Sequence, residues 1–232
     1  MRYLSRNKIY EKVDPFKNAK KLYIFCEGDR ETGYFKFFQG LASNIDIIPV
    51  PNDNGKSDPV KLKENAELQF NGNKNTPAVF SFSTELEDEV WFVIDTDLWN
   101  EGDKINKLKA FVNEKNVQYS GWFVVQSNPC FELWLYYHFH ADKPNEEDVL
   151  CFTSFKEYVA SKITGGFDNR GMPVEIQKAT KNAEINFELA DDQPALFSTD
   201  VFKVANQIIK FTKAQLNQCL EDLRKSQPNR SE

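Results

Sequence analysis

The sequence predicts an α/β protein built on a parallel sheet with covering helices. Between residues 21 and 140, short apolar runs alternate with amphipathic segments that have helical spacing. Such alternation is typical of strand–helix–strand units, which join parallel strands. After residue 141 only helical spacing remains, which indicates a small helical C-terminal section. We therefore expect an N-terminal arm at 1–20, an α/β core at 21–140, helices at 141–225 and a disordered tail at 226–232.

The predicted strands are the apolar runs of the core. The first is Leu22 to Cys26, which ends in Glu27 and Gly28. Each of the others is bounded by polar or turn-forming residues, as buried parallel strands commonly are. In chain order they are "IDIIPVP", "EVWFVID" and "VQYSGWFVVQ".

The predicted helices lie between and after these strands. A start at Ser57 or Asp58 is indicated by Pro59, which suits a first helical turn. Asn128 is expected to cap a helix with Pro129 in its first turn. The turn-rich segment "NGNKNTPAVFSFSTELED" has an apolar patch that is assigned to no element. The helical segments are "ETGYFKFFQGLA", "SDPVKLKENAELQF", "DKINKLKAFVNEKN", "SNPCFELWLYYHFH", "TSFKEYVASKI", "PVEIQKATKNAEINFELA" and "TDVFKVANQIIKFTKAQLNQCLEDLRK".

Composition narrows the class of protein. The chain has 232 residues, 41% hydrophobic and 28% charged, with a formal net charge of −6. This charge argues mildly against a general nucleic-acid binder, because phosphate contacts need Lys and Arg. The four cysteines lack zinc-site spacing, and no apolar run approaches the ~20 residues of a membrane helix. We expect a soluble protein of the reducing cytoplasm.

Acidic residues follow two of the predicted strands. Glu27 follows the first strand. Asp95 is the last residue of "EVWFVID", and Asp97 lies two residues later. Sites in parallel sheets form at the carboxyl ends of strands, so these side chains should share one edge. Carboxylates there suit Mg²⁺, and a glutamate can act as general acid or base. The alternative for Asp95 and Asp97 is a solvated turn.

These motifs also resemble a known family. "YIFCEGDRETGYF" and "WFVIDTD" resemble the Toprim domain of topoisomerases, primases and some nucleases, which has a Glu after its first strand and a DxD after a later one. "SNPCFELWLYYHF" resembles the signature of the RloB-like family, Toprim proteins of bacterial defence and abortive-infection loci that often neighbour an ATPase. "STDVFKVANQIIK" loosely resembles that family's C-terminal helix.

The resemblance implies a Toprim-like Rossmannoid sheet and a function. Glu27 would be the catalytic Toprim glutamate and a metal ligand, and Asp95 and Asp97 would hold Mg²⁺ or Mn²⁺. The protein would be a nuclease for DNA or RNA in antiviral (phage) defence, controlled by an AAA- or ABC-type ATPase. "EGDRETGYF" is one residue shorter than the family pattern, which places Glu31 on a second family glutamate and Thr32 after it.

Further candidates each have a structural alternative. Glu132 is an additional metal ligand or an acid that stabilises a helix N-terminus. Asn128 either supports the site residues or caps a helix. His138 either supports the site residues or is a partly buried histidine of the core. Helical spacing separates Glu132 from His138, so they should not act as a pair. Four basic residues would hold phosphates or lie on solvated faces: Lys56, Arg170, Lys178 and Lys181.

Two function classes remain open from the sequence. The first is a metal-dependent nuclease, and the second is a non-catalytic Toprim-fold binding or regulatory module of a defence complex. Glu27, Asp95 and Asp97 together favour the enzyme, because a scaffold has no physical need for three acids at one sheet edge. Topoisomerase or primase activity is less favoured, since the chain is short and its cysteines are wrongly spaced for zinc.

Overall fold

The fold centres on a five-stranded sheet in the order β2-β1-β3-β4-β7. The computed structural model describes residues 10–52, 58–96 and 103–226. Neighbours among β1 to β4 are parallel, and β7 joins β4 antiparallel. The predicted α/β class is confirmed, with a Rossmann-like arrangement. The strands are β1 Lys20–Cys26, β2 Ile45–Val50, β3 Glu89–Asp95, β4 Trp122–Asn128, β5 Leu189–Ala190, β6 Gln193–Pro194 and β7 Ser198–Thr199.

Helices cover both faces of this sheet, which is why its strands are apolar on both sides. α2 and α3 pack on one face, and α1, α4, α6, α7 and α8 contribute to the core of the other. Their bounds are α1 Asp29–Phe35, α2 Pro59–Asn71, α3 Lys104–Gln118, α4 Glu132–Tyr136, α5 Glu146–Val149, α6 Phe155–Lys162, α7 Ile176–Ile185 and α8 Phe202–Ser226, with 3₁₀ turns at Lys36–Phe38 and Met172–Glu175.

Alternation along the strands assigns each side chain to one face. On β3, Trp91 and Val93 belong to the core under α1 and α4, whereas Phe92 and Ile94 belong to the core under α2 and α3. Successive strand side chains point to opposite faces, so Asp95 continues the series of Trp91 and Val93. This placement directs the last residue of β3 toward the segment that carries α4.

The predicted helix start at Asp58 is confirmed. The Asp58 carboxylate accepts the Val60 backbone N–H at 2.8 Å, and Pro59 is the first residue of α2. Ser154 caps α6 in the same way, accepting the Glu157 N–H. Both side chains satisfy amide groups that have no partner inside the helix.

The predicted helix at 128–140 is partly wrong. Asn128 is the last residue of β4 and pairs with Ser198 of β7, so it does not cap a helix. The Asn128–Pro129 peptide is cis, and α4 begins only at Glu132 and is five residues long. The predicted helical section after residue 140 also supplies β7, which completes the sheet. Short strands of two residues carry too little periodicity to be recognised in a sequence.

None of the helices in the described ranges combines the length and apolarity needed to cross a membrane.

Candidate active site at the carboxyl edge of the sheet

Glu27 and Asp95 lie side by side at the carboxyl edge, as predicted. β1 and β3 are parallel neighbours with Cys26 opposite Val93, so the residues after Cys26 reach the end of β3. The Asp95 backbone N–H donates to Glu27 Oε2 at 2.9 Å. Both residues are buried, with relative exposures of 5% for Glu27 and 9% for Asp95. The strand register therefore brings the two acids together.

The Asp95 side chain in turn contacts the segment after β4. Its Oδ1 accepts the Phe131 backbone N–H at 2.8 Å. The next residue, Thr96, donates its N–H to the Ser127 and Pro129 carbonyl oxygens at 2.9 and 3.2 Å. Buried carboxylates require such donors, because losing water without compensation is costly. These hydrogen bonds fix the Asp95 carboxylate and hold the turn after β4 against the end of β3.

Glu31 and Glu132 form a second acidic pair near this edge. The Glu31 Oε2 accepts the Gly28 N–H at 3.1 Å, so the side chain closes the first turn of α1. Glu132 begins α4, and both carboxyl groups are mostly buried. Burial raises the pKa of Glu31, and the charge of Glu132 raises it further. A carboxyl group with a raised pKa keeps its proton to higher pH, which is the property of a general acid.

Two cations accompany these acids, and sequence reasoning missed both. Arg30 Nε lies 3.9 Å from Glu132 Oε1, and Lys156 Nζ lies 3.8 Å from Glu132 Oε2. Lys156 also lowers the pKa of Glu31, opposing the effect of burial. Arg30 stands inside the family-like motif "EGDRETGYF" and could have been singled out there. Lys156 lies on α6, far away in sequence, and no local pattern indicates its position.

The donor chemistry at this edge suits a hard cation. Glu27 and Asp95 offer carboxylate oxygens, which Mg²⁺ and Mn²⁺ prefer. Burial raises the pKa of the neighbouring Cys130 thiol, and the charges of Glu132 and Asp95 raise it further. Cys130 therefore stays protonated, whereas a cysteine binds metals as the thiolate. Within residues 10–52, 58–96 and 103–226, no three His, Cys, Asp or Glu side chains are arranged to hold a metal. The predicted ligand Asp97 lies outside these ranges.

His138 connects two of the segments that carry the acids. Its Nδ1 lies 3.0 Å from the Trp134 carbonyl oxygen, and its Nε2 lies 3.2 Å from the Tyr34 hydroxyl. A carbonyl only accepts, so Nδ1 carries the proton and Nε2 accepts from Tyr34. Burial lowers the pKa of His138 to about 3. The neutral ring thus links α1, which carries Glu31, to α4.

The predicted supporting residue Asn128 faces a different neighbour. Its side-chain amide donates to the Pro194 carbonyl at 2.8 Å, and its own carbonyl accepts the Phe197 N–H at 2.9 Å. The described contacts of Asn128 therefore stabilise the junction between β4 and the strands β6 and β7.

The predicted phosphate-binding residues are dispersed. Arg170 donates from Nε and Nη2 to Asp168 within its own loop, at 2.8 and 2.9 Å. That loop packs on α1, since a Cβ on Gly33 would lie 2.7 Å from the Asn169 amide nitrogen. On α7, Lys178 and Lys181 are exposed, and Lys178 is near enough to lower the pKa of His138. Lys56 lies outside the described residues.

A polar group beside β4 was also missed. The Asp200 carboxylate accepts the Gln126 backbone N–H and the Lys203 ammonium, at 2.5 and 2.9 Å. The Gln126 side chain continues to the Thr96 hydroxyl at 3.3 Å. Burial raises the pKa of Asp200. This chain of contacts connects the start of α8 to the residue after Asp95. In the sequence, Asp200 stood out only as part of the family-like segment "STDVFKVANQIIK".

A comparison with models of protein families finds a match for this chain. The family model described as "RloB-like protein" matches residues 22–208, from β1 into α8. No curated protein and no solved structure matches the chain. The matched range contains every predicted site residue.

Proposed function

Because this chain belongs to the RloB-like protein family, we propose that it is a Mg²⁺-dependent nuclease that hydrolyses phosphodiester bonds of DNA or RNA. The hydrogen bond from the Asp95 N–H to the Glu27 carboxylate carries the proposal. It supports a shared site at the carboxyl edge, where α/β sheets bind ligands. An acidic edge of this kind is costly to bury, so its presence favours a function.

The residues of the site would have three roles, which are metal binding, phosphate binding and proton transfer. Glu27, Asp95 and Asp97 would hold Mg²⁺ or Mn²⁺, with Glu132 as an additional carboxylate near them. When bound, the metal supplies positive charge that polarises the phosphate and lowers the pKa of water. Arg30 and Lys156 would hold the phosphate of the substrate beside the acids.

The proton chemistry would fall to the glutamates. Glu31 keeps its proton to higher pH than an ordinary glutamate because it is buried near Glu132. It would donate that proton to the leaving oxygen. Glu27 would act as the base and accept a proton from the attacking water. Glu31 is positioned for this by its hydrogen bond to Gly28, which fixes the carboxyl group at the start of α1.

The biological setting follows from the family resemblance. The protein would act in the cytoplasm in antiviral defence, under the control of an ATPase partner. A net charge of −6 agrees with this control, because a free nuclease would attract its substrate through positive charge. The partner would bring the nucleic acid to the acidic edge.

Mn²⁺ binding tests the site without requiring an activated nuclease. We expect calorimetry on the full chain to detect Mn²⁺ binding that Asp95→Asn weakens by about tenfold or more, because an amide replaces a carboxylate ligand. The asparagine Oδ1 can still accept the Phe131 N–H, so the turn after β4 is retained. Asp222→Asn is the matched control, because Asp222 lies exposed on α8 and bonds only to Gln218 among the described contacts.

The alternative is a binding module that uses the same fold without cleavage. A scaffold of this kind would bind a partner or a nucleotide at the same edge without holding a metal. The titration is therefore repeated with a short oligonucleotide, whose phosphate could complete a site. If neither experiment detects Mn²⁺ and the variants remain folded, the nuclease proposal fails and the binding module stands.

A further inference from the structure

A cavity lies at the opposite edge of the sheet from Glu27 and Asp95. It has a volume of about 400 Å³ and lies between α2, α3 and the connection from α2 to β3. Its lining includes Asn71 at the end of α2, Gln118 at the end of α3 and Trp122 at the start of β4. These positions mark the amino edge of the parallel strands. The volume lies within the range of small-molecule sites.

Aromatic rings form much of the cavity wall. Phe82 and Trp122 are nearly parallel, with ring centroids 6.0 Å apart and planes inclined by 27°. Phe70 lies 5.4 Å from Trp122, and Tyr119 lies 6.1 Å from Phe82. Phe82 and Phe70 are partly exposed, and Tyr119 is 47% exposed. Ring faces that remain accessible in a cavity favour a planar ligand that stacks on them.

The connection that supplies Phe82 is ordered although it has no helix or strand. It extends from residue 72 to residue 88, and it contains the apolar patch that the sequence left unassigned. The Ser81 carbonyl accepts the Tyr23 hydroxyl at 2.7 Å. The Asp88 carboxylate accepts the Lys21 and Ser83 N–H groups at 2.8 and 2.9 Å. Irregular connections of this length are uncommon in compact domains, and ordered ones are usually functional.

A glycine allows this connection to approach β4. Gly121 has a φ of +150°, and a Cβ there would lie 2.9 Å from the Asp88 carbonyl oxygen and 3.1 Å from the Phe82 ring. A side chain at residue 121 would therefore press on the Asp88 carbonyl group and on the Phe82 ring. The pairing of Phe82 with Trp122 depends on this close approach.

Two polar groups of residues that line the cavity indicate the chemistry of its ligand. Trp122 is 5% exposed, and its indole N–H has no hydrogen-bond partner in the described part of the chain. A buried donor without an acceptor is costly, so a ligand that supplies an acceptor gains binding energy here. Lys115 Nζ lies over the Phe111 and Trp122 rings, at 5.2 and 5.7 Å from their centroids. Glu67 also lines the cavity, but no carboxylate of the described residues forms an ion pair with Lys115. The Lys115 charge is therefore open to an anion.

We propose that this cavity binds a nucleotide, with the base stacked on Phe82 and the phosphate at Lys115. Ring nitrogens and carbonyl oxygens of the base accept hydrogen bonds, and one of them takes the Trp122 indole N–H. An aromatic amino-acid side chain would stack equally well, but it would bring no anion to Lys115. The nucleotide is either a free mononucleotide or one unit of a single strand. The proposal does not depend on the metal site.

Calorimetry on the full chain with AMP, GMP, CMP and UMP tests the cavity, and a short single-stranded oligonucleotide forms a second arm. We expect Phe82→Leu to weaken binding between about fivefold and about 150-fold, the range for loss of one base–aromatic stack. Trp122→Phe keeps a ring but removes the N–H, and should weaken binding about threefold to tenfold. Lys115→Gln should weaken the binding of nucleotides more than that of nucleosides.

Lys63→Gln is the matched control, because Lys63 also lies over Phe111, at 5.1 Å, but does not line the cavity. Mononucleotide binding that depends on the cavity residues supports a free ligand, and oligonucleotide binding with the same dependence supports a strand. If Phe82→Leu does not fold, nucleotide binding by Lys115→Gln is compared with that of the wild type instead.

Three results would overturn the proposal. The first is an absence of binding for both mononucleotides and the oligonucleotide to the folded wild type at millimolar concentration. The second is binding that Phe82→Leu, Trp122→Phe and Lys115→Gln leave unchanged. The third is tighter binding of N-acetyltryptophanamide than of any nucleotide, which would assign the cavity to a side chain of a protein partner.

Discussion

Substitution of His138 should remove about 2 kcal/mol of the stability that this protein loses between about pH 7.5 and about pH 5. The ring is buried between Tyr34, Trp134 and Phe167, and burial lowers its pKa from the ordinary 6.5 to about 3. The folded protein therefore keeps His138 neutral where the unfolded chain binds a proton. Stability that is fully present above pH 6.5 is lost as the pH falls toward 3. The loss would weaken the contact that links α1 to α4 behind the acidic site.

The size of the effect follows from the two pKa values. Each pH unit between them costs about 1.36 kcal/mol, so the loss reaches about 2 kcal/mol at about pH 5 and is close to zero at about pH 7.5. His138→Gln cannot titrate. We expect this variant to be less stable than the wild type at neutral pH because it loses ring contacts, and the difference should shrink by about 2 kcal/mol at about pH 5.

Urea unfolding of both proteins at the two pH values measures this change. Carboxyl groups also titrate in this range, but they do so in both proteins and cancel in the difference. His140→Gln is the control, since His140 is the only other histidine and lies closer to the surface. A wild-type-minus-variant difference that changes by less than about 0.5 kcal/mol between the two pH values would refute the reasoning.

Three further predictions concern buried charges. Asp95→Ala should lower the free energy of unfolding by about 1–3 kcal/mol relative to Asp95→Asn, because only alanine leaves the Phe131 N–H without its acceptor; equal stabilities in urea would contradict this. Glu31→Gln should gain stability relative to the wild type as the pH rises through 4.5, because the raised pKa of Glu31 favours the folded wild type only while the group is protonated; denaturation at acidic and at neutral pH measures the trend, and a flat difference would be inconsistent with it. Lys20→Met should destabilise the fold by about 3–5 kcal/mol, because it leaves the buried Glu89 without its cation. The Trp91 indole also donates to Glu89, at 2.8 Å. If the variant unfolds at the same temperature as the wild type in a thermal scan, this hydrogen bond alone is enough to stabilise the Glu89 carboxylate.

Local sequence patterns predicted the framework of the site well. The apolar runs of β1 and β3 are long enough to be recognised as buried strands, and parallel pairing then places Glu27 and Asp95 at one edge. The cap at Asp58 and the first-turn Pro59 were equally local, since a cap bonds to a residue two or three positions away. Such features depend on neighbours in the chain, so the chain alone predicts them.

The helix expected after Asn128 shows where local reasoning fails. Asn and Pro favour a helix start, but the strand β7, about 70 residues later, pairs with Asn128 and extends β4 through it. A tertiary hydrogen-bond ladder overrides the local preference. The same limit explains why the patch around Phe82 could not be assigned, since its ring partner Trp122 lies on β4, about 40 residues later in the chain.

The sequence by itself determined the α/β class, the parallel strands and the presence of acids at their carboxyl ends, because periodicity and strand order depend on residue type and spacing. Only the tertiary structure decided which groups those acids meet. Glu132 lies between Arg30 and Lys156, and Asp95 accepts an N–H from Phe131, through contacts that join distant segments. The direction of the pKa shift of Glu31 was decided in the same way, because burial and the neighbouring charges arise only when those segments pack together.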